Sequence, residues 1–386
     1  EYWATLRAAD FADGPVEIRA IAWPTVGVPR VLGGNFSDSA TFQSGDYALT
    51  LWTNAQGSYN PQRITIGPAD DLASALMNVA DGGEILLRAG EYDIPDMAKS
   101  RQVDRYITIR PADGVDRSEV WIKPPLGNDG SRKTIKVKGT KLRWQNLSFD
   151  FARIYRLYPE PNSLHWFDRT YWTDSNGWNH SYATISVPLH IYGHGFMTEV
   201  AIHDIEYAAV GMQIVRNADI SQISGDVFQN SSLVLNNTLH NVDTSVLEHH
   251  TDVFQYFAPA DTRLRENVIG YNVKGTDIFS QHFFMRTGGG GTFKDFAFVN
   301  IELQPMANAD LSIKPSQLWC HHDHVLFMNV TTPYKLYFRE VVGNPDEGYI
   351  AHNVLFEHVH LHPISVKQLQ SSPPPGITAR SVFPAH

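Results

Sequence analysis

The chain has 386 residues, of which 42% are hydrophobic, and its 41 acidic and 31 basic residues give a formal net charge of −10. Because binding phosphates requires a basic surface, this balance argues against a nucleic-acid partner, although one local basic groove would suffice for an anionic sugar polymer. The sequence has no run of about 18 apolar residues, so we expect no membrane span, and its single cysteine, Cys320, excludes an internal disulfide and any multi-cysteine metal site.

Residues 1–66 differ in pattern from the rest of the chain. The segments "GPVEIRAIAWPTVGVPRVLGG" (14–34) and "DYALTLWTN" (46–54) alternate apolar and polar residues as antiparallel strands do. They lack the repeat that governs the later sequence. We predict a small β-sandwich-like region at 1–66.

A short amphipathic helix is predicted next, in "DDLASALMNVADGGEILLRAGEYDI" (70–94), where it leads through two glycines into a strand. The exposed end of a repeating sheet structure is an unpaired edge that needs a cover. We therefore predict that this helix caps the N-terminal end of the repeats that follow.

A repeat of apolar–x–Asn–apolar–x–apolar runs through the second half of the chain. It occurs at Asn272, Asn300 and Asn329, and again with His358, at intervals of 28, 29 and 29 residues. Fixed periods of this size indicate a solenoid, and the strand-like alternation predicts an all-β, right-handed parallel β-helix over 67–370. We expect the asparagines to form an internal ladder that satisfies the turn backbone, with earlier copies at Asn146 and Asp204.

The tetrapeptide Asp-Val-Phe-Gln occurs twice, and its acids, Asp226 and Asp252, lie 26 residues apart. The same interval separates Gln229, Gln255 and Gln281. If 26 residues make one coil, the two carboxylates lie on adjacent rungs about 5 Å apart, and the glutamines of a regular strand face the other way. Such a pair can bind a hard cation such as Ca²⁺, serve as nucleophile and acid in a retaining glycosidase, or cap turns.

Two passages near the start of the predicted solenoid resemble a known superfamily. "ADGGEILLRAGEY" (80–92) and "YITIRPADG" (106–114) are similar to the opening coils of pectin-lyase-like proteins, and the resemblance covers roughly residues 68 to 365. It implies a right-handed parallel β-helix. The superfamily includes polysaccharide lyases, glycoside hydrolases, uronan epimerases, esterases and phage tailspikes, so the resemblance implies a polysaccharide or oligosaccharide partner and leaves the reaction open.

Histidines flank the second acid of the pair. His249 and His250 precede Asp252, and His282 follows Gln281. A neutral imidazole has an ordinary pKa of about 6.5 and can abstract the proton at C5 of a uronic acid, so His250 or His282 is a candidate base. Two or three histidines, including those of "CHHDH" (320–324), could instead ligate a transition metal or pack within the strands.

Two arginines follow aromatic-rich strands, Arg286 in "FFMRTGGGG" and Arg339 in "KLYFREV". A guanidinium can hold a carboxylate through two parallel hydrogen bonds, although solvated surface arginine is common. We expect Arg286 to take part in catalysis, and Arg339 to contact substrate together with His249 and Tyr256.

The segment "LYPEPNSLHWFDRTYWTDSNGWNHSYA" (157–183) has no apolar period and is predicted to be a long loop. Its flat aromatic side chains suit stacking on sugar rings, and the alternative is a loop that packs its own aromatics over the core. The candidate substrate contacts are Trp166, Tyr171, Trp172 and Trp178. The Pro-rich tail "SSPPPGITARSVFPAH" (371–386) is predicted to be an extended arm.

These features favour a polysaccharide lyase that cleaves a uronate-containing glycan by β-elimination. Asp226 and Asp252 would bind a cation, with calcium as the candidate cofactor, or neutralise the substrate carboxylate. The alternatives are a glycoside hydrolase that uses the same two acids and a non-catalytic glycan-binding or tailspike-like module. The chain begins at Glu1 and is rich in Asn, Gly, Trp and Tyr, so we expect a mature protein that is secreted or periplasmic.

Overall fold

The structure is a computed structural model, and the part of the chain that it describes is scattered over the whole sequence. The described residues are 6–11, 13–18, 20–22, 30–32, 49–53, 60–93, 101, 103, 105–123, 133–137, 141–150, 154–159, 164–173, 195–243, 252–257, 264–286, 291–307, 309, 311, 316–319, 321–338 and 351–385. No helix within these residues is long and apolar enough to cross a membrane.

The N-terminal region contains antiparallel strand pairs, as its alternating pattern predicts. After a 3-10 turn (Ala8–Asp10), β1 (Gly14–Ile18) pairs with β4 (Leu49–Thr53), and β2 (Ala20–Ala22) pairs with β3 (Arg30–Leu32). The packing of these pairs into a sandwich stays a prediction.

Parallel strands then wind around one axis, and each strand pairs with its counterpart in the next coil. The first ladder contains β5 (Arg63–Ile66), β6 (Glu84–Leu87), β8 (Ile107–Pro111), β11 (Lys141–Gln145), β14 (Leu164–Asp168), β16 (Gly195–Thr198), β19 (Ile214–Arg216) and β22 (Leu233–Leu235). The second ladder contains β7 (Gly90–Asp93), β9 (Val120–Lys123), β12 (Ser148–Asp150), β15 (Tyr171–Thr173), β17 (Ala201–Ile205), β20 (Asp219–Ile223) and β23 (Thr238–Asp243).

Five long strands run across the corner between these two ladders and join them into one sheet of 20 strands. They are β25 (Leu264–Phe279), β27 (Thr292–Pro305), β29 (His321–Thr332), β31 (Ala351–Leu361) and β32 (Ile377–Pro384). The third ladder is a separate six-stranded sheet of β18 (Ala209–Val210), β21 (Phe228–Gln229), β24 (Asp252–Phe257), β26 (Gln281–Arg286), β28 (Ser316–Trp319) and β30 (Leu336–Phe338), and one further parallel pair joins β10 (Lys133–Val137) to β13 (Ile154–Pro159).

The chain is therefore a right-handed parallel β-helix, and the predicted fold is confirmed. Parallel strands joined in this way cross over with a right-handed turn in nearly all known sheets. The first rung already begins at Arg63, which pairs with Glu84, so the solenoid starts a few residues before the predicted boundary at residue 67.

The predicted helix near the N-terminal end is present as α1 (Leu72–Asn78), between β5 and β6. The side chain of Asp71 caps it by accepting a 3.0 Å hydrogen bond from the N–H of Ala73, as aspartate does at helix N-termini. The side chains of Leu72 and Leu76 are buried in the core of the solenoid. The helix thus covers the apolar end of the first coils.

One corner of the coil is marked by residues with left-handed backbone. Ten of them, with φ between 49° and 56°, stack in register just after the first ladder: Asn146, Arg169, Glu199, Asn217, Asn236, Asn272, Asn300, Asn329, His358 and Ser381. Asparagine tolerates this conformation better than most residues do. This is the physical reason for the asparagine repeat in the sequence.

The predicted asparagine column is confirmed, but two details of the prediction are wrong. The side-chain amide of Asn329 donates to Oδ1 of Asn300 at 3.0 Å in an exposed position, so the ladder lies at the surface and its amides bond one another. Asp204 belongs to a second column of left-handed residues, in register with Gln222. Local sequence could not separate the two columns because both corners favour the same residue types.

The interior is filled by stacked side chains that repeat from coil to coil. Phe254 lies 5.3 Å from Phe283 and Phe327 lies 4.7 Å from Phe356, in both cases with nearly parallel rings. All four rings are buried in a single continuous core. Burial of such large apolar surfaces is the main stabilising term for the solenoid.

The C-terminal residues complete the solenoid, so the predicted extended arm is wrong. Strand β32 pairs with β31 along its length, and Val382 is buried in the core. Helix α2 (Pro363–Ser371), which the sequence pattern did not predict, precedes β32. The hydroxyl of Ser365 in α2 accepts a 2.9 Å hydrogen bond from the N–H of Leu336 in β30. The helix therefore takes the place of a further strand in the third ladder.

Candidate functional site

Asp226 and Asp252 lie on adjacent rungs of the third ladder, as their spacing predicts. Phe228 and Phe254, two residues further on, pair in register. The N–H of Asp252 donates a 2.9 Å hydrogen bond to Oδ1 of Asp226, so the carboxylate of one coil binds the backbone of the next. Asp226 is 3% exposed and Asp252 is 0% exposed. The two acids therefore form a buried pair.

The side chains of the two Asp-Val-Phe-Gln copies form a closed ring of hydrogen bonds. The amide of Gln229 donates to Oδ2 of Asp226 at 2.9 Å and also to Oε1 of Gln255. The amide of Gln255 donates to Oδ2 of Asp252 at 2.7 Å, and the Asp252 N–H closes the ring. The prediction that the glutamines face away from the acids is wrong, because each aspartate stands at or just before the start of its strand.

Burial raises the pKa of Asp226 well above its ordinary value, and the nearby charges of Asp252 and Glu206 raise it further. The hydrogen bonds from the Asp252 N–H and from Gln229 act in the opposite direction. Because two close carboxylates resist double ionisation, the pair retains a proton to a higher pH than an isolated aspartate does. A Cβ on Gly225 would lie only 2.4 Å from the carbonyl oxygen of Glu206, so glycine is required where this coil passes the third acid.

Gln281 does not continue the glutamine column, contrary to the sequence-based expectation. It pairs with Asp252, whereas Gln255 pairs with Phe284. The next coil is longer than the 26 residues that separate Asp226 from Asp252. As a result, Gln281 occupies the position that Asp226 and Asp252 occupy in the two preceding coils. Gln281 is 3% exposed and lies beside the pair.

The described atoms of the pair do not fit the predicted calcium ion. Calcium takes six to eight oxygen ligands, but both carboxylate oxygens of Asp226 accept hydrogen bonds from N–H donors. Within the described residues, no group of three or more His, Cys, Asp or Glu side chains is placed to hold a metal ion.

His282, a predicted base, lies inside the solenoid. Its side chain is 0% exposed, its Nδ1 lies 2.7 Å from the hydroxyl of Thr332, and its ring meets Tyr334 edge to face. Burial lowers the pKa of His282 to about 3. A general base works best with a pKa near the working pH, so this position does not suit His282 to that role.

The histidines of residues 320–324 do not converge on the pair. His322 is buried, and burial lowers its pKa to about 3. His324 stands at an exposed corner with its Nδ1 3.2 Å from the carboxylate of Asp323. His322 and His324, two residues apart, thus have different surroundings, one in the interior and one at the surface.

Several predicted site residues lie outside the described part of the chain. These are His249, His250, Trp178 and Arg339. Arg286 is the last residue of β26, and its backbone pairs with Phe257 and Trp319. The roles of these residues stay predictions.

The aromatic segment 157–183 is not simply a loop, because two of its stretches form strands of the solenoid. Trp172 in β15 is 0% exposed and packs against Phe167 in the core. Trp166 in β14 lies under the guanidinium of Arg143, 4.5 Å from the ring centroid, and Arg143 in turn pairs with Asp168 at 2.5 Å. Both tryptophans are therefore packed within the protein, and neither exposes its ring for stacking on a sugar.

Tyr171 and Tyr256 differ in their exposure. Tyr171 is half-buried on the outer face of the second ladder, where its ring meets Trp121 at 6.1 Å. Tyr256 is 0% exposed, packs against Phe296, and has a raised pKa because of burial. Of these two predicted substrate contacts, only Tyr171 lies where a ligand could reach it.

Sequence reasoning missed two features of the site, the third acid and the ring of amides. Glu206 is buried to 4% exposure beside Asp226. The available signal was the "SG" directly before the first Asp-Val-Phe-Gln copy, since glycine directly before a buried acid marks a close approach of two coils.

No protein-family model matches the sequence, and no curated protein sequence does either. Solved structures of similar shape include the catalytic domain of a GH87 α-1,3-glucanase in complex with tetrasaccharides, at 11% identity and a TM-score of 0.42, covering 87% of this chain and 72% of that chain. A PL6-family alginate lyase has 14% identity and a TM-score of 0.26, covering 95% and 46%. The A-module of a mannuronan C-5 epimerase from Azotobacter vinelandii has 11% identity and a TM-score of 0.36, covering 83% and 97%. These similarities assign no reaction to this chain.

Proposed function

We propose that this β-helix is a carbohydrate-active enzyme in which Asp226 and Asp252 cleave a glycosidic bond as an acid–base pair. One observation carries the proposal: the N–H of Asp252 holds the Asp226 carboxyl on the neighbouring rung, where burial and a neighbouring charge raise its pKa. A carboxylic acid kept protonated beside an ionised carboxylate is the pair that glycoside hydrolysis requires.

In the proposed reaction Asp226 gives its proton to the oxygen of the leaving sugar. Asp252 attacks the anomeric carbon, and water then releases the sugar from Asp252 and returns a proton to Asp226. Neighbouring rungs are about 4.8 Å apart, and retaining glycosidases have their carboxyl groups about 5 Å apart. We therefore expect retention of configuration at the anomeric carbon.

In the proposal the substrate reaches the pair past Gln229. This side chain is half-buried, whereas Asp226, Asp252 and Gln255 are at most 3% exposed. Its amide bonds both Asp226 and Gln255. In the proposal the substrate displaces this amide, and the hydroxyl groups of the sugar replace the hydrogen bonds that Gln229 gives up.

The lyase interpretation rests on residues other than those of the ring. β-Elimination needs a base for the C5 proton and a group that neutralises the uronate carboxylate. Burial keeps His282 from serving as that base, which leaves His250 for the base and Arg286 for the carboxylate. The described residues therefore support hydrolysis better than elimination.

The products of the reaction test the proposal. The protein would be incubated with a panel of neutral and uronate-containing polysaccharides, and both reducing ends and ultraviolet absorbance would be measured. Reducing ends without absorbance support hydrolysis. An absorbing unsaturated product would mean elimination, with His250 as the candidate base and Arg286 as the group that binds the carboxylate. Tight retention of one polymer with no product at all would overturn catalysis in favour of a binding module.

The variant Asp252→Asn tests the pair itself, and Asp277→Asn serves as its matched control. Asp277 is exposed at a left-handed corner (φ 55°), where asparagine fits the backbone equally well. Loss of product with Asp252→Asn but not with Asp277→Asn supports the proposed pair. Equal activity in both variants would exclude it.

A further inference from the structure

A group of aromatic side chains lies on the outer face of the second ladder. Trp121 and Tyr171 are two rungs apart, with the buried Ser148 between them in register. The two rings meet over this small residue, with centroids 6.1 Å apart and planes at 86°. The ring of His203 lies 5.6 Å from that of Tyr171. We call these three side chains, Trp121, Tyr171 and His203, the aromatic platform.

The platform faces outward, since the next residues along the same strands point into the core. Ile122, Trp172 and Ile202 are each 0% exposed, whereas the three platform rings are half-buried. Alternate residues of a strand face opposite sides of its sheet. Large rings on the outer face therefore contribute little to the core.

Hydrogen bonds hold the platform rings in place. The indole N–H of Trp121 donates to the carbonyl oxygen of Ser118 at 2.9 Å. The Nδ1 of His203 is hydrogen-bonded to the hydroxyl of Ser221. Rings fixed before binding lose little freedom when a ligand stacks on them.

A positive charge accompanies the rings. The guanidinium of Arg117 lies over Tyr171, 5.7 Å from the ring centroid, and donates to the carbonyl oxygen of Arg169 at 3.3 Å. Lys123, over Trp121 at 5.9 Å, is paired with Glu91 at 2.5 Å. Arg117 makes no ion pair with any residue that the structure describes. Arg117 also interacts electrostatically with Asp116, and in a chain with a net charge of −10 it places a positive charge beside the platform rings.

We propose that the aromatic platform and Arg117 form a glycan subsite for acidic sugar residues. The C–H faces of a sugar ring pack on Trp121 and Tyr171, and Arg117 binds the carboxylate of a uronate through its planar fork of N–H groups. The platform lies on the second ladder and the Asp226–Asp252 pair on the third, so this subsite would hold the glycan on a different face of the solenoid from the pair. The inference deepens the proposed function by naming the substrate class as a uronate-containing glycan.

Binding to the Asp252→Asn protein tests this subsite without turnover. Tryptophan fluorescence and calorimetry would follow titration with an oligouronate and with a neutral oligosaccharide of equal length. We expect Trp121→Ala to weaken oligouronate binding about tenfold, and Arg117→Gln to weaken the oligouronate but not the neutral sugar. Added salt should weaken only the oligouronate.

Tyr337→Ala is the matched control, because Tyr337 is an exposed ring with Lys335 over it at 5.7 Å on another face of the molecule. This variant should bind both sugars as the parent does. Arg117→Gln keeps all platform rings, so it still tests the charge if Trp121→Ala fails to fold. Equal binding of acidic and neutral sugars, or unchanged binding in the Trp121 and Arg117 variants, would overturn the subsite.

Failure of the subsite and failure of the proposed pair give different results. If Asp252→Asn still cleaves glycans while Trp121→Ala loses oligouronate affinity, the pair is wrong and the subsite stands. If Asp252→Asn is inactive while Trp121→Ala and Arg117→Gln retain full affinity, the pair stands and the subsite is wrong.

Discussion

The backbone N–H of Asp252 donates its hydrogen bond to the side chain of Asp226, one coil earlier. Asp226 therefore accepts bonds from two N–H donors, one in the backbone and one in Gln229. The two acids of one repeated tetrapeptide thus have unequal surroundings. Unequal surroundings are what separates an acid from a base in a pair of carboxyl groups.

We expect Asp252→Asn to lower turnover at least about 100-fold and to change the melting temperature little. The asparagine oxygen can still accept the bond from Gln255, and the repulsion of Asp226 disappears. Turnover and thermal unfolding would be measured on the same preparation. An active but destabilised variant would show that the acids are structural caps.

Asp226→Asn should remove a pH dependence of stability, because asparagine does not titrate, although its NH2 group cannot accept one of the two hydrogen bonds that Asp226 accepts. Because the folded pKa of Asp226 is raised, the folded state holds a proton that the unfolded chain has lost. Stability therefore falls as the pH rises from about 3.8 through the folded pKa. Urea unfolding should show that the stability of Asp226→Asn relative to the parent is higher at pH 7 than at pH 4. The same relative stability at both pH values would contradict the raised pKa.

The buried His282 should destabilise the fold in acid. Its folded pKa is about 3 against about 6.5 in the unfolded chain, so the unfolded chain gains a proton first. The stability contribution is complete above pH 6.5 and is lost as the pH falls toward 3. For each pH unit below about 6.5, the unfolding free energy of His282→Gln should fall by about 1.4 kcal/mol less than that of the parent.

Urea unfolding between pH 6.5 and pH 4.5 would measure the effect, with the exposed His352 as the control in His352→Gln. Turnover of His282→Gln should stay close to that of the parent. A complete loss of turnover in a folded His282→Gln protein would restore His282 as the base.

Trp172 and its neighbour Tyr171 should respond differently to truncation. Trp172→Ala opens a cavity in the core beside Phe167 and should cost about 3–5 kcal/mol of unfolding free energy. Tyr171→Ala, on the outer face, should cost about 1 kcal/mol or less. Chemical unfolding of both variants measures the difference, and equal costs would contradict the assigned faces.

The asparagine column should depend on backbone conformation rather than on its amide bonds. Asn300 has a φ of 55°, so Asn300→Gly should be nearly neutral and Asn300→Ala should cost about 1 kcal/mol. Asn78→Ala, in helix α1, is the control and should cost nothing because alanine favours helix. Equal losses in the two Asn300 variants would instead assign the stability to the amide bonds.

The fold could be predicted from sequence because its corners carry a local signal. A left-handed corner selects asparagine wherever it occurs, so Asn272, Asn300 and Asn329 marked the coils directly. The adjacency of Asp226 and Asp252 followed from the same counting. These inferences needed only a conformational preference and a spacing.

The details of the site needed information that a local pattern does not contain. Gln281 moved out of the glutamine column because one coil is longer, and coil length is set by contacts far apart in sequence. The burial of His282 and Trp172 depends on which strand face meets the core. In a segment without a clear period, sequence alone does not fix that face.

Neighbouring corner residues are 18 positions apart between Glu199 and Asn217 but 36 apart between Asn236 and Asn272. The strands on either side nevertheless stay in register. Insertions and deletions between corners therefore cost little more than loop closure, which rises slowly with length. Related β-helices can therefore differ in the length of their surface loops while they keep the same strand register. An alignment of such sequences should match their corner residues and should not assume a constant repeat length.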